Sequence, residues 1–185
     1  MNSFKVIKKY KDKDIHIPKR ATMYSAGYDI EAAEDVIVPS IFRAMKSFDK
    51  VCTIDEIKQI VKGMNLRTMV PTGLKVELDN DMYLELHVRS SIGCNCLLQL
   101  ANQTGIIDAD YYNNPDNEGH IFIALINLSP CDIQIKKGDR IAQGIFKKYN
   151  KTSTEMELEY QGIDIIYNSN EHTRKGGFGS TDKNK

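Results

Sequence analysis

Apolar and polar residues alternate with a period of two over much of this chain. Residues 74–79 and 82–88 both place leucine or valine at every second position, with mostly polar or charged residues between them. This alternation predicts strands that turn one face to the core and the other to water. Asp79, Asn80 and Asp81 lie between the two runs and favour a turn. We therefore expect residues 74–88 to form a hairpin.

Further strands are predicted towards the C-terminus. Residues 121–128 are almost continuously apolar, which is typical of a strand covered on both faces. Residues 133–135 alternate again, and a turn at residues 137–139 leads into a predicted strand over residues 140–148. Residues 155–160 are interpreted as a last strand. Many short strands without intervening helices indicate an all-β fold, either a sandwich, a barrel or a jelly roll.

Residues 40–67 interrupt this pattern with helical signals. Thr53 and Glu56 match a capping box, apolar residues then recur at helical spacing, and Gly63 is a plausible end. A second short helix is expected around residues 41–48. We interpret the segment as an inserted helical hairpin packed on the β body. It is either a structural decoration or a surface for a protein partner.

Length and charge set the limits of the interpretation. With 185 residues, the chain fits one β domain over residues 1–167 and a polar, glycine-rich arm over residues 168–185. The arm is either disordered or ordered by a ligand. Lys and Arg number 25 and Asp and Glu also number 25, so the net charge is zero. No general basic field favours nucleic acid, and any polyanion must be bound by local groups.

The sequence also predicts a reducing, cytoplasmic location. No run approaches the roughly 20 apolar residues that span a bilayer, and the first ten residues do not resemble a secretory signal. Cys52, Cys94, Cys96 and Cys131 match neither a disulfide framework nor a zinc site. Cys94 and Cys96 are interpreted as small apolar residues near a strand.

Two early segments carry candidate chemistry. In residues 26–30, Gly27 allows a close backbone approach, and Asp29 is either a hard metal ligand or an ion-pair partner. In residues 89–93, Arg89, Ser90 and Ser91 come where a strand gives way to a predicted loop, which suits a phosphate. Taken alone, Asp29 is more commonly explained as a turn residue, and serines at a strand end commonly satisfy a turn.

Residues 102–111 are more informative. We expect Ile106 and Ile107 to be buried and to place Asp108 on a rigid rim, where a carboxylate can orient and deprotonate a water. Asn102 offers an amide that can bind a base edge, and Tyr111 offers a flat face to a sugar. The alternatives are a turn for Asp108 and a core aromatic for Tyr111.

The last two segments suit phosphate as well. In residues 137–143, Asp139 and Arg140 could form only a structural ion pair, while Gln143 has an amide for a phosphate oxygen. Residues 174–181 combine cations, glycines, hydroxyls and one aromatic residue, Phe178. Such a peptide can wrap an anion with its amides and stack on a base.

In this order, the five segments resemble the five motifs of the trimeric dUTPase family. The resemblance implies a jelly-roll subunit, a homotrimer with active sites between subunits, dUTP as substrate and Mg²⁺ as cofactor. Asp108 would hold the attacking water, Tyr111 would pack on the deoxyribose, Asn102 would read uracil and Phe178 would stack over it. A supporting network would comprise Asp29, Asp139 and Arg140. The implied substrate-binding set is Arg89, Ser90, Ser91, Asn102, Gly105, Ile107, Tyr111, Gln143, Arg174, Lys175, Gly177, Phe178, Gly179, Ser180 and Thr181.

The resemblance implies that Mg²⁺ is held mainly by the triphosphate and waters, with Asp29 at most in the outer shell and no direct protein ligand assigned. The chain departs from the family pattern at residues 112–118, which lengthen the turn after Tyr111, and in the fifth motif, where only Lys175 separates Arg174 from the glycines. Two alternatives remain: a dCTP deaminase of the same fold, or a nucleotide-sensing trimer that binds a protein partner.

Overall fold

The structure is a computed structural model that describes residues 2–43, 52–64 and 66–160. Within these residues the strands are β1 (Ser3–Val6), β2 (Lys19–Arg20), β3 (Tyr28–Glu31), β4 (Val36–Val38), β5 (Thr68–Pro71), β6 (Leu74–Glu77), β7 (Met82–Val88), β8 (Leu98–Leu100), β9 (Gly105–Ile107), β10 (Phe122–Asn127), β11 (Ile133–Ile135) and β12 (Arg140–Lys148). The α-helices are α1 (Ile54–Met64), α2 (Ser90–Cys96) and α3 (Ser153–Tyr160). Short 3-10 helices lie at Lys8–Tyr10, Ile41–Arg43 and Ala109–Tyr111.

The strands form four antiparallel sheets. The largest has the order β2-β3-β12-β7-β9, a second has the order β5-β10-β8, and the remaining strands pair as β1-β6 and β11-β4. Neighbours along the chain are mostly not neighbours in a sheet, so the connections cross between the layers. This is an all-β fold of the jelly-roll type, as predicted.

The core lies between the inner faces of these sheets. Alternate residues of β7 point inward, and Leu84 and Leu86 are buried there in the same cluster as Ile141 and Ala142 from β12. Strand β10 is buried over most of its length, which confirms the prediction for residues 121–128. The predictions for residues 133–135 and 140–148 are confirmed as β11 and β12.

The predicted hairpin of residues 74–88 is wrong in its pairing. A turn does form, since the Met82 amide donates to the Asp79 carbonyl over 2.9 Å. Strand β7, however, pairs with β12 on one side and β9 on the other, so it has no open edge for β6. Strand β6 instead pairs with β1. The local pattern predicted the reversal but could not predict the partner.

Lys75 occupies a polar position of the alternating run in β6, which predicts contact with water, yet it is buried. Its ammonium donates to Asn113 Oδ1 over 2.6 Å and to Glu118 Oε1 over 2.7 Å. A lysine is buried in this way only when its charge is paired and hydrogen-bonded. The loop of residues 112–119 covers β6 and supplies both partners.

The inserted segment contains the predicted helix, α1. Its capping box is confirmed: the Thr53 amide donates to Glu56 Oε2 over 2.8 Å, and the Glu56 amide donates to Thr53 Oγ1 over 3.3 Å. Gly63 lies inside the helix, which ends at Met64. The expected packing on the β body is wrong for α1 within the described residues, because no residue of the helix is buried. The second predicted helix reaches beyond the 3-10 turn at Ile41–Arg43 into residues outside the described part.

Two further assignments are wrong. Residues 90–96 form α2 where a loop was expected, so Cys94 and Cys96 lie on a helix, and both are free thiols. Residues 153–160 form α3 and not a strand. Thr152 and Glu155 make a second capping box, with the Thr152 amide donating to Glu155 Oε2 over 2.9 Å. This Thr-x-x-Glu spacing was the signal that identifies the helix.

His120 makes the stability of the fold depend on pH. It is buried against Phe122 and Tyr10, and its Nε2 accepts a hydrogen bond of 3.0 Å from the Gly73 amide, which requires the uncharged ring. Burial, assisted by the charge of Lys9, lowers its pKa from 6.5 to about 4. Between these values the unfolded chain binds the proton more readily, so the stabilisation is complete above pH 6.5 and is lost as the pH falls.

We expect the free energy of unfolding to fall by on the order of 3 kcal/mol between pH 7 and pH 4 through His120 alone. Urea unfolding at fixed protein concentration, compared with the His120→Gln variant, measures this contribution. The variant keeps an acceptor for the Gly73 amide but does not titrate. Its free energy of unfolding should therefore fall less steeply as the pH is lowered. Equal slopes for the two proteins would contradict the assignment.

Candidate active site

Gln143, one of the predicted phosphate-binding residues, lies on the outer face of the five-stranded sheet. Gln143 on β12 lies opposite Asp29 on β3 and opposite His87 on β7. Their neighbours Ile30 and Leu86 are buried, so the alternation directs Asp29, Gln143 and His87 away from the core.

Asp29 joins two arginines at the end of this row. Its Oδ1 lies 2.9 Å from Arg89 Nε, and its Oδ2 lies 3.0 Å from Arg140 Nη1. Two guanidinium groups and one carboxylate leave one positive charge in excess, with Arg140 half-exposed. We call Asp29, Arg89 and Arg140 the arginine cluster. It can attract and orient an anion, as the sequence predicted for this region.

Gly27 leaves room for the Gln143 side chain. A Cβ atom at Gly27 would lie 2.4 Å from Gln143 Oε1, which is too close for any other residue to fit without displacing that side chain. The predicted close approach at Gly27 is therefore confirmed, and Gln143 is the group that requires it. Gln143 lies opposite Asp29, next to the arginine cluster.

Ser90 and Ser91 are exposed in the first turn of α2, directly after Arg89. Asp139 has a different place from the one expected. Its Oδ2 accepts from the Lys136 amide over 2.8 Å and closes the turn before β12, while Arg140 pairs with Asp29. The ion pair between Asp139 and Arg140 that the sequence suggested is wrong, because the turn directs the two side chains apart.

The residues of the third segment lie on β9 and its ends. Gly105 packs on Leu86, and Ile107 contacts the core, while Asn102 is exposed in the turn before the strand. Ile106 was expected to be buried but is exposed in this chain, because its neighbours take the inward positions. Strand β9 pairs only with β7 and forms an edge of the sheet in the described part of the chain.

Asp108 follows β9 and begins the 3-10 helix Ala109–Tyr111. It is half-buried, and its carbonyl accepts a hydrogen bond of 3.2 Å from the Tyr111 amide. We call residues 108–111 the Asp108 turn. Tyr111 is 5% exposed, and its hydroxyl donates to the His120 carbonyl over 3.0 Å. Tyr111 is therefore largely a core aromatic, which is one of the two alternatives that the sequence left open.

The Asp108 turn and the arginine cluster lie at opposite ends of β7. Ile107 is paired with Leu84 near the start of the strand, whereas Arg89 follows its last residue. Arg89 lies five positions beyond Leu84 in extended chain, which corresponds to roughly 17 Å. The Asp108 turn and the arginine cluster of one chain are therefore well separated along β7.

A polar network that the sequence did not predict lies between these two ends. Glu85 Oε1 accepts from Lys147 over 2.8 Å and from His87 over 2.6 Å, and its Oε2 accepts from Tyr83 over 3.0 Å. The hydrogen bonds from Lys147 and His87 lower the pKa of Glu85 to about 2. The polar positions 83, 85 and 87 of the alternating run were the available signal.

Some predicted features fall elsewhere. The fifth segment, residues 174–181, lies outside the described residues. Among the described residues, no three or more His, Cys, Asp or Glu side chains are placed to hold a metal ion. No helix in the same part of the chain has the length and apolar character needed to cross a membrane. The fold and the arginine cluster together describe a jelly-roll protein with paired arginines on one face of its largest sheet.

Comparison with known proteins identifies the family. The dUTPase family model matches residues 57–181. The deoxyuridine 5'-triphosphate nucleotidohydrolase of Lactococcus lactis is 40% identical over 181 residues, which cover 98% of this chain and 97% of that protein. The crystal structure of dUTPase from Streptococcus mutans is 32% identical, with a TM-score of 0.65, and covers 82% of this chain and 98% of that one.

A mutant dUTPase from phage phi11 of S. aureus, described with a structural Mg(II) ion, shares the fold at 17% identity and a TM-score of 0.58, covering 83% of this chain and 94% of that one. With the family model and the L. lactis relative, the chain belongs to the dUTPase family. It is a dUTP diphosphatase. The prediction of dUTP hydrolysis is therefore confirmed, in preference to the deaminase alternative.

Proposed function

We propose that hydrolysis occurs by attack of a water held by Asp108 on the α-phosphorus of dUTP, in a site shared between subunits of a homotrimer. The separation of roughly 17 Å along β7 between the Asp108 turn and the arginine cluster supports this. In the described part of the chain, Asp108 lies at one end and the arginine cluster, whose one carboxylate is paired with both arginines, lies at the other. Rotating identical subunits about a threefold axis can bring the Asp108 turn of one against the cluster of the next.

The phosphate-binding part consists of Arg89, Ser90, Ser91 and Gln143, with Asp29 and Arg140 in support. dUTP carries about four negative charges, and the chain has no net charge to attract it. The arginine cluster supplies local positive charge, and Asp29 holds the Arg89 guanidinium in place. Arginine beside serine hydroxyls stabilises the charge that develops on the leaving diphosphate.

Mg²⁺ fits this site as a companion of the triphosphate. Both oxygens of Asp29 are already paired with arginines, so Asp29 is a poor direct ligand and can act only in the outer shell. Mg²⁺ usually keeps several waters and binds substrate phosphates. Bound in this way it neutralises phosphate charge. The structural Mg(II) ion described for the phage phi11 enzyme shows that one member of this fold binds the metal.

The nucleoside is bound along β9. Because this strand is an edge in the described part of the chain, backbone groups of Gly105 and Ile107 on its unpaired side can pair with the edge of uracil, beside the Asn102 amide. Cytosine would leave these groups without matching partners, which discriminates strongly. Tyr111 would face the deoxyribose and leave no room for a 2′-hydroxyl.

The role of the arm, residues 168–185, is proposed from its sequence alone, since it lies outside the described residues. The arm would close over the site. Phe178 would stack on uracil, and the other members would bind the phosphates: Arg174, Lys175, Gly177, Gly179, Ser180 and Thr181.

The cellular role that follows is to limit uracil in DNA and to supply dUMP, in the cytoplasm. The exposed apolar side of α1, with Ile54, Ile57 and Val61, favours a second role in binding a protein partner.

Diphosphate release from dUTP, UTP, dCTP and dTTP tests the specificity. With Mg²⁺ present, we expect dUTP to exceed each of the others by at least about 100-fold in kcat/KM, because wrong bases and sugars leave buried groups unpaired or clash. Chelation of Mg²⁺ should suppress the reaction. Comparable rates with dCTP or UTP would refute the roles given to β9 and Tyr111.

A further inference from the structure

The loop of residues 112–119 encloses Tyr111 with hydrogen bonds whose directions are unambiguous. The Gly119 amide can only donate, and it donates to Asn117 Oδ1 over 3.0 Å. Asn117 must therefore turn its Nδ2 towards the Tyr111 hydroxyl, 2.8 Å away. The hydroxyl accepts this bond and gives its single proton to the His120 carbonyl. Both hydrogen-bonding functions of the hydroxyl are thus used.

The backbone of Tyr111 is held by the same loop. Asn114 Oδ1 accepts from the amides of Asp116 and Asn117, each over 3.1 Å. Its Nδ2 consequently points the other way and donates to the Tyr111 carbonyl over 2.9 Å. A Cβ atom at Gly119, where φ is +78°, would lie 2.7 Å from that carbonyl oxygen. Glycine is needed here for both the space and the backbone conformation.

The far side of the loop is anchored to the sheet. The buried ammonium of Lys75 on β6 binds Asn113 and Glu118, and Glu118 Oε2 also accepts from the Lys8 amide over 3.0 Å. Lys75 and this amide hold the pKa of Glu118 below its ordinary value, which keeps the carboxylate charged. The loop is therefore anchored through Asn113 and Glu118, and moving it would break a part-buried ion pair.

We propose that this loop is a positioning device for the Tyr111 ring, and that Asn117 is the residue through which it sets discrimination against ribonucleotides. The proposal rests on the proposed contact between Tyr111 and the deoxyribose. The Tyr111 ring can exclude a 2′-hydroxyl only if it stays in place. A buried ring that is held at its hydroxyl and at the backbone carbonyl of its own residue cannot tilt to admit the extra oxygen. Asn117 is a positioning residue, because it acts through Tyr111.

The Asn117→Asp variant isolates the contact. Aspartate keeps the acceptor for the Gly119 amide. Towards the Tyr111 hydroxyl, however, it presents an oxygen in place of the Nδ2 donor, and the hydroxyl has only one proton for this oxygen and the His120 carbonyl. We expect the ratio of kcat/KM for dUTP over UTP to fall roughly tenfold, the effect of losing one hydrogen bond of typical strength. The change should appear mainly as a gain in UTP turnover. Asp116→Asn, the reverse change at an exposed neighbour, should leave the ratio unaltered.

A double-mutant cycle with Tyr111→Phe shows whether the hydroxyl carries the effect. Tyr111→Phe alone should lower the ratio about as much as Asn117→Asp does, and Asn117→Asp should then add less than about a twofold change. An equal further loss in the Tyr111→Phe background would overturn the proposal. An unchanged ratio in Tyr111→Phe alone would also overturn the proposal, and this test is available even if Asn117→Asp does not fold.

Tyr111→Ala separates this inference from the proposed function. If Tyr111→Ala keeps the full preference for dUTP, Tyr111 does not meet the sugar, and the proposed contact fails together with the inference. If Tyr111→Ala loses the preference while Asn117→Asp and Tyr111→Phe keep it, the sugar contact stands and only the role of the loop is refuted.

Discussion

The Asp108→Asn variant is expected to bind dUTP almost normally and to hydrolyse it on the order of 10²- to 10⁴-fold more slowly, the range for loss of a general base. Asparagine has nearly the same shape as aspartate and keeps an oxygen for a hydrogen bond to water. It has no charge and cannot accept a proton at neutral pH. The loss should therefore appear in kcat, with KM close to that of the wild-type protein.

Steady-state diphosphate release gives kcat, and calorimetric titration with a non-hydrolysable dUTP analogue gives the affinity. Asp110→Asn is the matched control, since it makes the same chemical change at an exposed position of the same turn. It should retain almost full turnover. Near-normal kcat in Asp108→Asn, or an equal loss in both variants, would remove Asp108 from its role as base.

Much of the fold could be predicted because its signals are local. The alternation in β7, the apolar run of β10 and the capping box of α1 each arise within a few residues, and each was predicted from them. Strand partners are not local. The pairing of β6 with β1 depends on both edges of β7 being occupied by distant strands, which no pattern within residues 74–88 contains.

The candidate site likewise contains residues that local signals predict and residues whose contacts depend on distant parts of the chain. Asp29, Arg89 and Gln143 were identified from short motifs, and the structure brings them together on one sheet face. The burial of Lys75 was missed because its partners lie about forty residues later, in a loop that shows no periodicity. The network around Tyr111 was missed for a related reason: asparagine-rich turns do not reveal which backbone groups they will satisfy.

If the active site is shared between subunits, two inactive variants should restore activity to one another. Arg89→Gln removes the guanidinium that is paired with Asp29 and should reduce hydrolysis by at least about 100-fold, because it weakens charge stabilisation of the leaving diphosphate. Asp108→Asn damages the opposite end of β7. In a mixed homotrimer, a site that takes Asp108 from one subunit and Arg89 from the next can be intact.

For equal amounts of the two variants assembled at random, the donor of Asp108 is intact in half of the sites and the donor of Arg89 in half, so about one quarter of sites are intact. Co-refolded mixtures should recover close to that share of wild-type turnover. Arg89→Gln mixed with Gln143→Ala is the control, because both changes lie in the phosphate-binding part of one chain and no mixture restores it. Recovery only in the first mixture requires Asp108 and Arg89 to act from different chains. Absence of recovery in both would place them in one chain, and the separation along β7 would then have to close by a rearrangement of the sheet itself.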